Sequence, residues 1–591
     1  MTPARDPQDS PLKSIFRVSP SDAWVALVLA VVAFMAYWPS LKSGFVYDAR
    51  LEIIDEGFIT SLSNLPAVLS LKVLGMNLIL GSRPGEMLYL MLIAAICGKH
   101  ALGYHLCSNL LHAVNVALLY VLLCRLIATE ITGLGKSSIL KVQMAMAAVT
   151  LIFALHPIAV ESVAEISYSS SLLVTFFTLV AFLAAITFDP KDKRSAITIG
   201  SVAAFCAFAS VTCKESGIAT PLLLVIYWFL FRRREEKRPW FLFLGAATAV
   251  TVVFLAARFL LAPSGQVHLH YLGGSFFRVF LIQPRLWVFM MGKLLWPTHL
   301  SADYTIENVN RISTALALVI LIVVVLLQIC LACKSRVGAL GVAIYWLGLV
   351  TVSNFIPLNR PLADRFYYLS LLGVAMQLLA LLLLLLRSNR GFWLAMAPCA
   401  GVLLPLAFLT LTREKVFAND LSLWTDTIQV SPRSSVAHNS LGMAFFQRGR
   451  LDEAIAEYQK AQEISPNDEH ARNDFGIALF QKGEVYDAKE QFQKALEINP
   501  NYAEAHNSLG NCFFQRGQME EAMAEYQKAL EIKPNYVEAH NGLGVLLYQK
   551  GEVDAAIFQF QEAVRLNPNS INARNNLAKM KAMIEARGGA K

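Results

Sequence analysis

Residues 311–332 read RISTALALVILIVVVLLQICLA, a run in which Arg311 is the only charged side chain. A helix needs about 20 consecutive apolar residues to cross the hydrocarbon core of a bilayer, so this stretch predicts a transmembrane helix. Similar runs recur as far as Leu411. Of all 591 residues, 55% are hydrophobic and 16% are charged, whereas about 25% are charged in soluble domains. The sequence therefore predicts a polytopic membrane protein.

We expect about eleven spans in a membrane domain over residues 22–411, after a tail at 1–21. They are placed near 22–41, 103–124, 142–156, 171–188, 195–212, 217–231, 239–261, 311–332, 338–357, 366–386 and 391–411. Two longer segments, 42–102 and 262–310, are expected on the outward side. The apolar run at 276–297 stays outside the membrane in this prediction because it carries three cations, Arg278, Arg285 and Lys293. Each would cost about 2.5–3.5 kcal/mol at the middle of the bilayer.

The Lys and Arg residues give the predicted orientation. They cluster in alternate gaps between the spans, for example at 232–238, and positive clusters favour the cytoplasmic side. The amino terminus is then cytoplasmic and the carboxyl-terminal region lies outside, as in the periplasm next to a bacterial inner membrane. The formal net charge of +8 is explained by these orientation signals, so we expect no nucleic-acid partner.

The carboxyl-terminal region, 412–591, shows a different pattern, with a period of about 34 residues. Gly442, Gly476, Gly510 and Gly544 keep this spacing, and so do Pro466, Pro500, Pro534 and Pro568. This is the signature of the tetratricopeptide repeat (TPR), a pair of packed helices. We expect a connector at 412–434, four repeats at 435–571, and a capping helix and tail at 572–591. The predicted fold class is all-α, a membrane helix bundle followed by a TPR α-solenoid.

An asparagine recurs at the fifth position of each repeat. The four are Asn439, Asn473, Asn507 and Asn541. Their amides either line a groove that binds the backbone of an extended peptide, or are simply small polar residues suited to a solvated groove.

Polar side chains gather at the predicted outward ends of the spans. They are Asp48, Arg83, His105, His156, Glu161, Lys214, Glu215, Asp303, Tyr304, Arg365 and Tyr368. Ionisable groups near the membrane are costly and usually face a cavity or a partner. Each also has a structural explanation: Lys214 and Glu215 fit a helix-end ion pair, and His105 fits a packing histidine. Together they suit phosphate binding and proton transfer, so we predict one outward site.

In its motifs the chain resembles the transmembrane and TPR-containing O-mannosyltransferases and their bacterial relatives, within the lipid-linked-sugar glycosyltransferases called GT-C. The resemblance rests on the order of short motifs, and then on the repeats. The motifs are GFVYD at 44–48, RP at 83–84, GYH at 103–105, FALHP at 153–157 with Glu161, KE at 214–215, WP at 296–297, DY at 303–304, and Arg365 with Tyr368.

The resemblance implies transfer of a sugar from a polyprenyl-phosphate carrier to a hydroxyl, such as Ser or Thr of an exported protein. It implies that Asp48 is the base. A positioned carboxylate can take the proton of an attacking hydroxyl, and Arg83, Lys214 and Arg365 can stabilise charge on the departing phosphate. The chain departs from the family in two places: Ala49 replaces a second acid, and the serine-rich stretch Ile166–Ser171 lacks a basic residue.

These departures are compatible with an altered donor, with an inert enzyme kept for binding, or with compensation by Glu52, Asp55 or Arg50. They leave two main functions open at the level of sequence. One is the transferase, with lipid-linked sugar as substrate and an acceptor polypeptide bound by the repeats. The other is a catalytically inert, membrane-anchored TPR scaffold for protein assembly. We expect no cofactor and no metal, because the single pair Cys330 and Cys333 lacks further ligands at metal-site spacing.

Overall fold

The structure is a computed structural model. It describes residues 19–46, 48–55, 58–76, 78, 80, 83–128, 136–189, 191–233, 237–261, 276–353, 362–386, 388–567 and 570–588. Within these ranges every regular element is a helix, which confirms the all-α fold class. The chain forms two compact units, Met1–Asp426 and Thr427–Lys591.

The first unit is a bundle of apolar helices. Within the described residues, nine helices are long and apolar enough to cross a membrane: Ala101–Ile127, Ser137–Ala154, Ile166–Thr187, Ala196–Cys213, Glu215–Arg232, Pro239–Leu261, Thr314–Lys334, Asp364–Leu385 and Asn389–Val416. Shorter apolar helices are Pro20–Ala36, Pro84–Cys97 and Arg336–Val350. Nine of the eleven predicted spans coincide with the long helices, and the other two fall on Pro20–Ala36 and Arg336–Val350.

The helices of the bundle differ in how much surface they bury. Only 6% of the apolar window of Thr314–Lys334 is buried inside the protein, against 72% for Ile166–Thr187. An apolar helix that leaves most of its residues outside the protein interior needs an apolar solvent, so Thr314–Lys334 faces lipid and Ile166–Thr187 forms the centre of the bundle.

Small residues allow two of the helices to pack closely. A Cβ atom added at Gly348 would lie 2.6 Å from Oγ of Ser370, and one at Gly373 would lie 2.5 Å from the backbone nitrogen of Tyr345. Close approach of backbones at Gly and Ser is how membrane helices gain packing energy without a hydrophobic driving force. Arg336–Val350 therefore packs directly against Tyr368–Leu385.

The predicted outward segment 42–102 is a chain of short helices with its own core. Its elements are Trp38–Lys42, Arg50–Asp55, Leu62–Asn64, Leu65–Leu69, Lys72–Gly75 and Pro84–Cys97. Ile53, Ile59, Val73 and Leu90 are buried together against Tyr104. This core fixes the start of the segment, where Asp48 lies.

The run predicted to stay outside the membrane is the helix Phe276–Leu295, with Pro284 in its interior. Val279 and Leu286 are buried, whereas Phe277 and Phe280 are exposed. The helix is thus two-faced, and its placement at the membrane surface stays a prediction. Between it and Thr314–Lys334 lies the short helix Ile306–Val309.

The second unit is a stack of helix pairs. They are Ser435–Phe446 with Leu451–Ile464, Glu469–Lys482 with Val485–Ile498, Ala503–Gln515 with Met519–Ile532, and Val537–Gln549 with Val553–Leu566, followed by Ile571–Gly588. The repeated glycine is required by packing: a Cβ atom added at Gly476 would lie 2.6 Å from Cε1 of Phe492. The aromatic ring of each second helix fills the space that the glycine leaves.

The repeat pattern extends beyond the four pairs at both ends. Asp420–Val430 carries the buried Trp424, one repeat length before Tyr458, and Pro432 lies one repeat length before Pro466. In Ile571–Gly588, the fully buried Ala573 lies one repeat length after Ala539. Part of the predicted connector is thus helical and continues the repeat spacing, as does the helix at the carboxyl-terminal end.

Candidate functional site

Asp48 lies at the start of segment 42–102 and is held by another part of the chain. Its Oδ2 accepts a hydrogen bond from the hydroxyl of Tyr168 at 2.8 Å. The backbone N–H of the next residue, Ala49, donates to Oε1 of Glu165 at 3.3 Å. Burial raises the pKa of the Asp48 carboxyl above its ordinary value. The Tyr168 hydrogen bond and the charges of Arg365 and Arg83 offset part of this effect. The carboxylate is thus partly desolvated but stabilised by donors and cations, which suits a proton acceptor.

Arg365 is a cation that contacts this arrangement through the Tyr168 ring, and Glu161 fixes it. Nη1 of Arg365 pairs with Oε1 of Glu161 at 2.7 Å, and its backbone N–H donates to Oε2 at 2.8 Å. Its guanidinium lies over the Tyr168 ring, 4.0 Å from the centroid. Both carboxylate oxygens of Glu161 are therefore bonded to one residue, and Tyr168 contacts both Arg365 and Asp48.

Lys214 is a buried cation with a hydroxyl partner instead of a carboxylate. Its Nζ donates to Oγ of Ser171 at 2.7 Å and lies 4.7 Å from the centroid of the Phe366 ring. Ser171 in turn donates to the backbone carbonyl of Arg365 at 2.9 Å. Burial lowers the pKa of Lys214 to about 7, and the neighbouring Arg83 and Arg365 add to this effect. A buried ammonium group without a carboxylate partner is stabilised when an anionic ligand binds next to it.

Arg83 lies between two carboxylates, those of Glu86 and Glu215. Its guanidinium is 3.5 Å from Glu86 and 3.6 Å from Glu215. Arg258 pairs with the second of these carboxylates at 2.7 Å. Glu215 therefore holds two arginines next to Lys214 and balances part of their charge.

Asp303 and Tyr304 belong to a neighbouring polar cluster. The hydroxyl of Tyr304 donates to Oδ1 of Asp364 at 2.8 Å, and Arg413 lies 3.8 Å from Oδ2 of the same carboxylate. The carbonyl of Asp303 accepts a hydrogen bond from Ser301. This cluster touches the site through the peptide bond that joins Asp364 to Arg365.

Each of the two predicted histidines contacts a backbone carbonyl through Nε2, whereas the buried Nδ1 of His105 has no hydrogen-bond partner among the described residues. Nε2 of His105 lies 3.2 Å from the carbonyl of Gly44, and Nε2 of His156 lies 3.0 Å from that of Leu294. Tyr368 lies 2.7 Å from Nδ1 of His112 through its hydroxyl. The two predicted histidines thus contact the backbone around the site, Tyr368 contacts a neighbouring histidine, and the assignment of all three to substrate binding stays a prediction.

The structure thus joins Asp48, Arg83, Glu161, Lys214, Glu215 and Arg365 in one polar network. Sequence reasoning missed four members: Tyr168, Glu165, Ser171 and Arg258. Three of them lie in the stretch 165–171, which is notable at the level of sequence only for the basic residue that it lacks. The signal that could have identified these three residues was the polarity of this stretch next to an apolar span. Among the described residues, no cluster of three His, Cys, Asp or Glu side chains is arranged to hold a metal ion.

The asparagines of the repeat unit are only partly satisfied. Nδ2 of Asn439 donates to Asp474 at 3.0 Å, and Oδ1 of Asn541 accepts from Asn576 at 2.9 Å. The buried Oδ1 atoms of Asn439, Asn473 and Asn507 have no hydrogen-bond partner among the described residues. Buried acceptors without a partner are rare in folded proteins, and each needs an explanation.

Fold and site define a class: an all-α membrane protein with a polar site at the ends of its helices and a TPR unit. Family descriptions agree for the repeats, with "TPR repeat" matching residues 442–483, 476–514 and 510–551 and "Tetratricopeptide repeat" matching 537–570.

Curated relatives extend the similarity to the membrane unit and confirm the resemblance drawn from the motifs. The chain is 23% identical over 451 residues to Protein O-mannosyl-transferase F38B6.6 of Caenorhabditis elegans, covering 74% of this chain and 62% of that protein. It is 25% identical over 444 residues to Protein O-mannosyl-transferase Tmtc3 of Drosophila melanogaster, covering 61% and 46%. It is 28% identical over 214 residues to Protein O-mannosyl-transferase TMTC3 of Homo sapiens, covering 34% and 21%. The chain spans 62% or less of each of these relatives.

Solved structures match the repeat unit. They include YrrB, "a TPR protein with an unusual peptide-binding site", at 25% identity, covering 28% of this chain and 84% of that one with a TM-score of 0.23. MamA matches at 24% identity, covering 25% and 86%, also with a TM-score of 0.23.

Proposed function

We propose that the protein is an integral-membrane glycosyltransferase that moves a sugar from a polyprenyl-phosphate carrier to a hydroxyl group. The observation that carries the proposal is the network linking Asp48, through Tyr168, to Arg365 and Lys214. A base next to cations is the arrangement that this chemistry needs. The names of the relatives add mannose as the first sugar to test.

The reaction assigns a role to each group. The acceptor oxygen forms a bond to the anomeric carbon on the face opposite the phosphate, its proton goes to Asp48, and the bond from the anomeric carbon to the phosphate oxygen breaks. The polyprenyl phosphate leaves with that electron pair. Lys214 and Arg365 stabilise the resulting negative charge, and Arg83 adds to the local positive potential. Base catalysis contributes about 10²- to 10⁴-fold, and a single preorganised donor to the developing charge can add about 10²- to 10³-fold.

The membrane follows from the donor. A polyprenyl tail has to stay in hydrocarbon while its head group reaches polar residues at the ends of the helices. Lipid-facing helices such as Thr314–Lys334 support this arrangement. In the proposed orientation the amino terminus is cytoplasmic, the site and the repeats face the periplasm, and the membrane is a bacterial inner membrane.

The repeat unit is proposed to bind the acceptor polypeptide, whose Ser or Thr hydroxyl receives the sugar. The amide oxygens of Asn439, Asn473 and Asn507, which lack partners among the described residues, support this role. They can accept hydrogen bonds from the backbone N–H groups of an extended chain. Contacts to the backbone suit a surface that binds many sequences.

The proposal is tested by Asp48→Asn, which keeps the size of the side chain and removes the base. Glycan occupancy of exported proteins is measured by mass spectrometry, with release of polyprenyl monophosphate from polyprenyl-phosphate mannose in vesicles as the second readout. We expect Asp48→Asn to lose at least about 100-fold in rate. Asp554→Asn, a change at an exposed carboxylate of the repeat unit, is the matched control and keeps wild-type activity.

The inert scaffold predicts the opposite pattern. If folded Asp48→Asn protein leaves glycan occupancy unchanged while deletion of residues 435–591 abolishes the cellular function, the transferase is ruled out and the scaffold stands.

A further inference from the structure

The turn that precedes the most buried span meets the outward segment at two points. It comprises residues 165–168 and joins the short helix Val160–Ala164 to the α-helix Ser169–Thr187 of that span. From this turn, Glu165 accepts from the backbone of Ala49 and Tyr168 donates to the side chain of Asp48. Two adjacent residues of the outward segment are therefore held by two residues of one turn.

Tyr168 is itself fixed by the cation that lies over its ring. The guanidinium of Arg365 is 4.0 Å from the ring centroid, and Glu161 holds it with two hydrogen bonds. A guanidinium over an aromatic face is attracted by the ring and restrains it. The hydroxyl of Tyr168 therefore approaches Asp48 from a set direction.

Asp48 has two carboxylate oxygens, and Tyr168 distinguishes them. The only hydrogen bond to its side chain from the described residues is the one that Tyr168 donates to Oδ2. The second oxygen, Oδ1, keeps its lone pairs for another donor. In a reaction that needs a base, this is the oxygen that can accept a proton. The charged groups that act on Asp48 from the surrounding elements are Arg83, Arg365, Glu52, Glu161 and Glu165.

Building on the proposed function, we propose that Tyr168 is a positioning residue for the transfer: it orients Asp48 through Oδ2, so that the proton of the acceptor hydroxyl goes to Oδ1. Glu165 supports this role by fixing the backbone at Ala49, the position that lacks the second acid of the family. Tyr168 does not touch the sugar or the phosphate. It acts through Asp48.

The test is the pH dependence of kcat/KM for Tyr168→Phe, measured as release of polyprenyl monophosphate from polyprenyl-phosphate mannose in vesicles. The Tyr168 hydrogen bond lowers the pKa of Asp48, so its loss raises that pKa and moves the acid limb of the profile to higher pH. We expect a shift of up to about one pH unit. Activity then falls about tenfold on the acid side and recovers as the pH rises. Tyr345→Phe is the matched control, because the buried Tyr345 hydroxyl, unlike that of Tyr168, has no hydrogen-bond partner among the described residues. It leaves the pH profile in place.

A second variant covers the case in which Tyr168→Phe does not fold. Replacement of Tyr168 by 3-fluorotyrosine keeps the shape and makes the phenol a stronger donor, so the acid limb moves to lower pH. An unshifted limb in either variant, or an equal loss of activity at every pH, overturns the positioning role. Those results leave the proposed function intact, whereas full activity of Asp48→Asn would overturn the function itself.

Discussion

The membrane unit and the repeat unit bury polar side chains in different ways. In the membrane unit, Glu161 and Arg365 lie 204 positions apart and form one nearly inaccessible ion pair. In the repeat unit, His506 lies 2.6 Å from Glu525, only 19 positions away, and also contacts the carbonyl of Pro500. Equivalent contacts recur at His438 and His540. The first unit thus depends on a few unique long-range pairs, and the second divides the same task among local contacts that repeat.

The largest effect is expected where a unique pair is broken. Glu161→Gln leaves the buried guanidinium of Arg365 without its carboxylate, and removal of one partner of a buried pair costs about 3–5 kcal/mol. We expect a lower midpoint of thermal unfolding in detergent. Glu307→Gln, at an exposed position, is the control.

Replacing both partners sharpens this test. Glu161→Met combined with Arg365→Met removes both charges, and apolar replacements of a buried pair are often neutral for stability. The double variant should therefore unfold at a higher temperature than Glu161→Gln. Equal midpoints for wild type and Glu161→Gln would show that the membrane unit does not depend on this pair.

A smaller effect is expected at one contact of the repeat unit. Gly476→Ala places a methyl group against the Phe492 ring, and overpacking of this kind costs about 1–3 kcal/mol. Hydrogen exchange in the full chain is the measurement, and we expect weaker protection of Glu469–Lys482 and Val485–Ile498. Adding Phe492→Leu makes room for the methyl group and should restore part of the protection. If Gly476→Ala exchanges like the wild type, close packing at the repeated glycine is not what stabilises the pair.

The smallest effect concerns one His–Glu contact. Burial raises the pKa of Glu525, but hydrogen bonds from His506 and Lys528 outweigh it and leave the pKa below its ordinary value. The stabilisation is therefore present above about pH 4.3, the unfolded value, and is lost as the pH falls through the folded value.

Glu525→Gln copies the fourth repeat, where Gln559 faces His540. We expect it to destabilise the third repeat by less than about 1 kcal/mol at pH 7, since the pair is partly exposed. Near pH 3.5 the difference from the wild type should be smaller, because the pH has fallen towards the lowered pKa of the Glu525 carboxyl. The free energies of unfolding are measured in urea at both pH values. An equal difference between wild type and variant at the two pH values would contradict the dependence on the Glu525 pKa.

The same contrast explains what the sequence predicts. The glycine of Gly476 and the aromatic ring of Phe492 recur once in every repeat, so the repeat fold can be predicted from spacing alone, and apolar length predicts the spans. Asp48 and Arg365 could be selected as candidates because ionisable groups beside a membrane are unusual. Their connection could not, because Tyr168 lies 120 positions from Asp48, and no local period specifies such a contact.

A structure of the protein with polyprenyl-phosphate mannose bound in a lipid nanodisc tests the central claim most directly. We expect phosphate oxygens within hydrogen-bond distance of Nζ of Lys214 and the guanidinium of Arg365, with the anomeric carbon facing Oδ1 of Asp48. A phosphate held elsewhere, with no contact to either cation and the sugar turned away from Asp48, would contradict it.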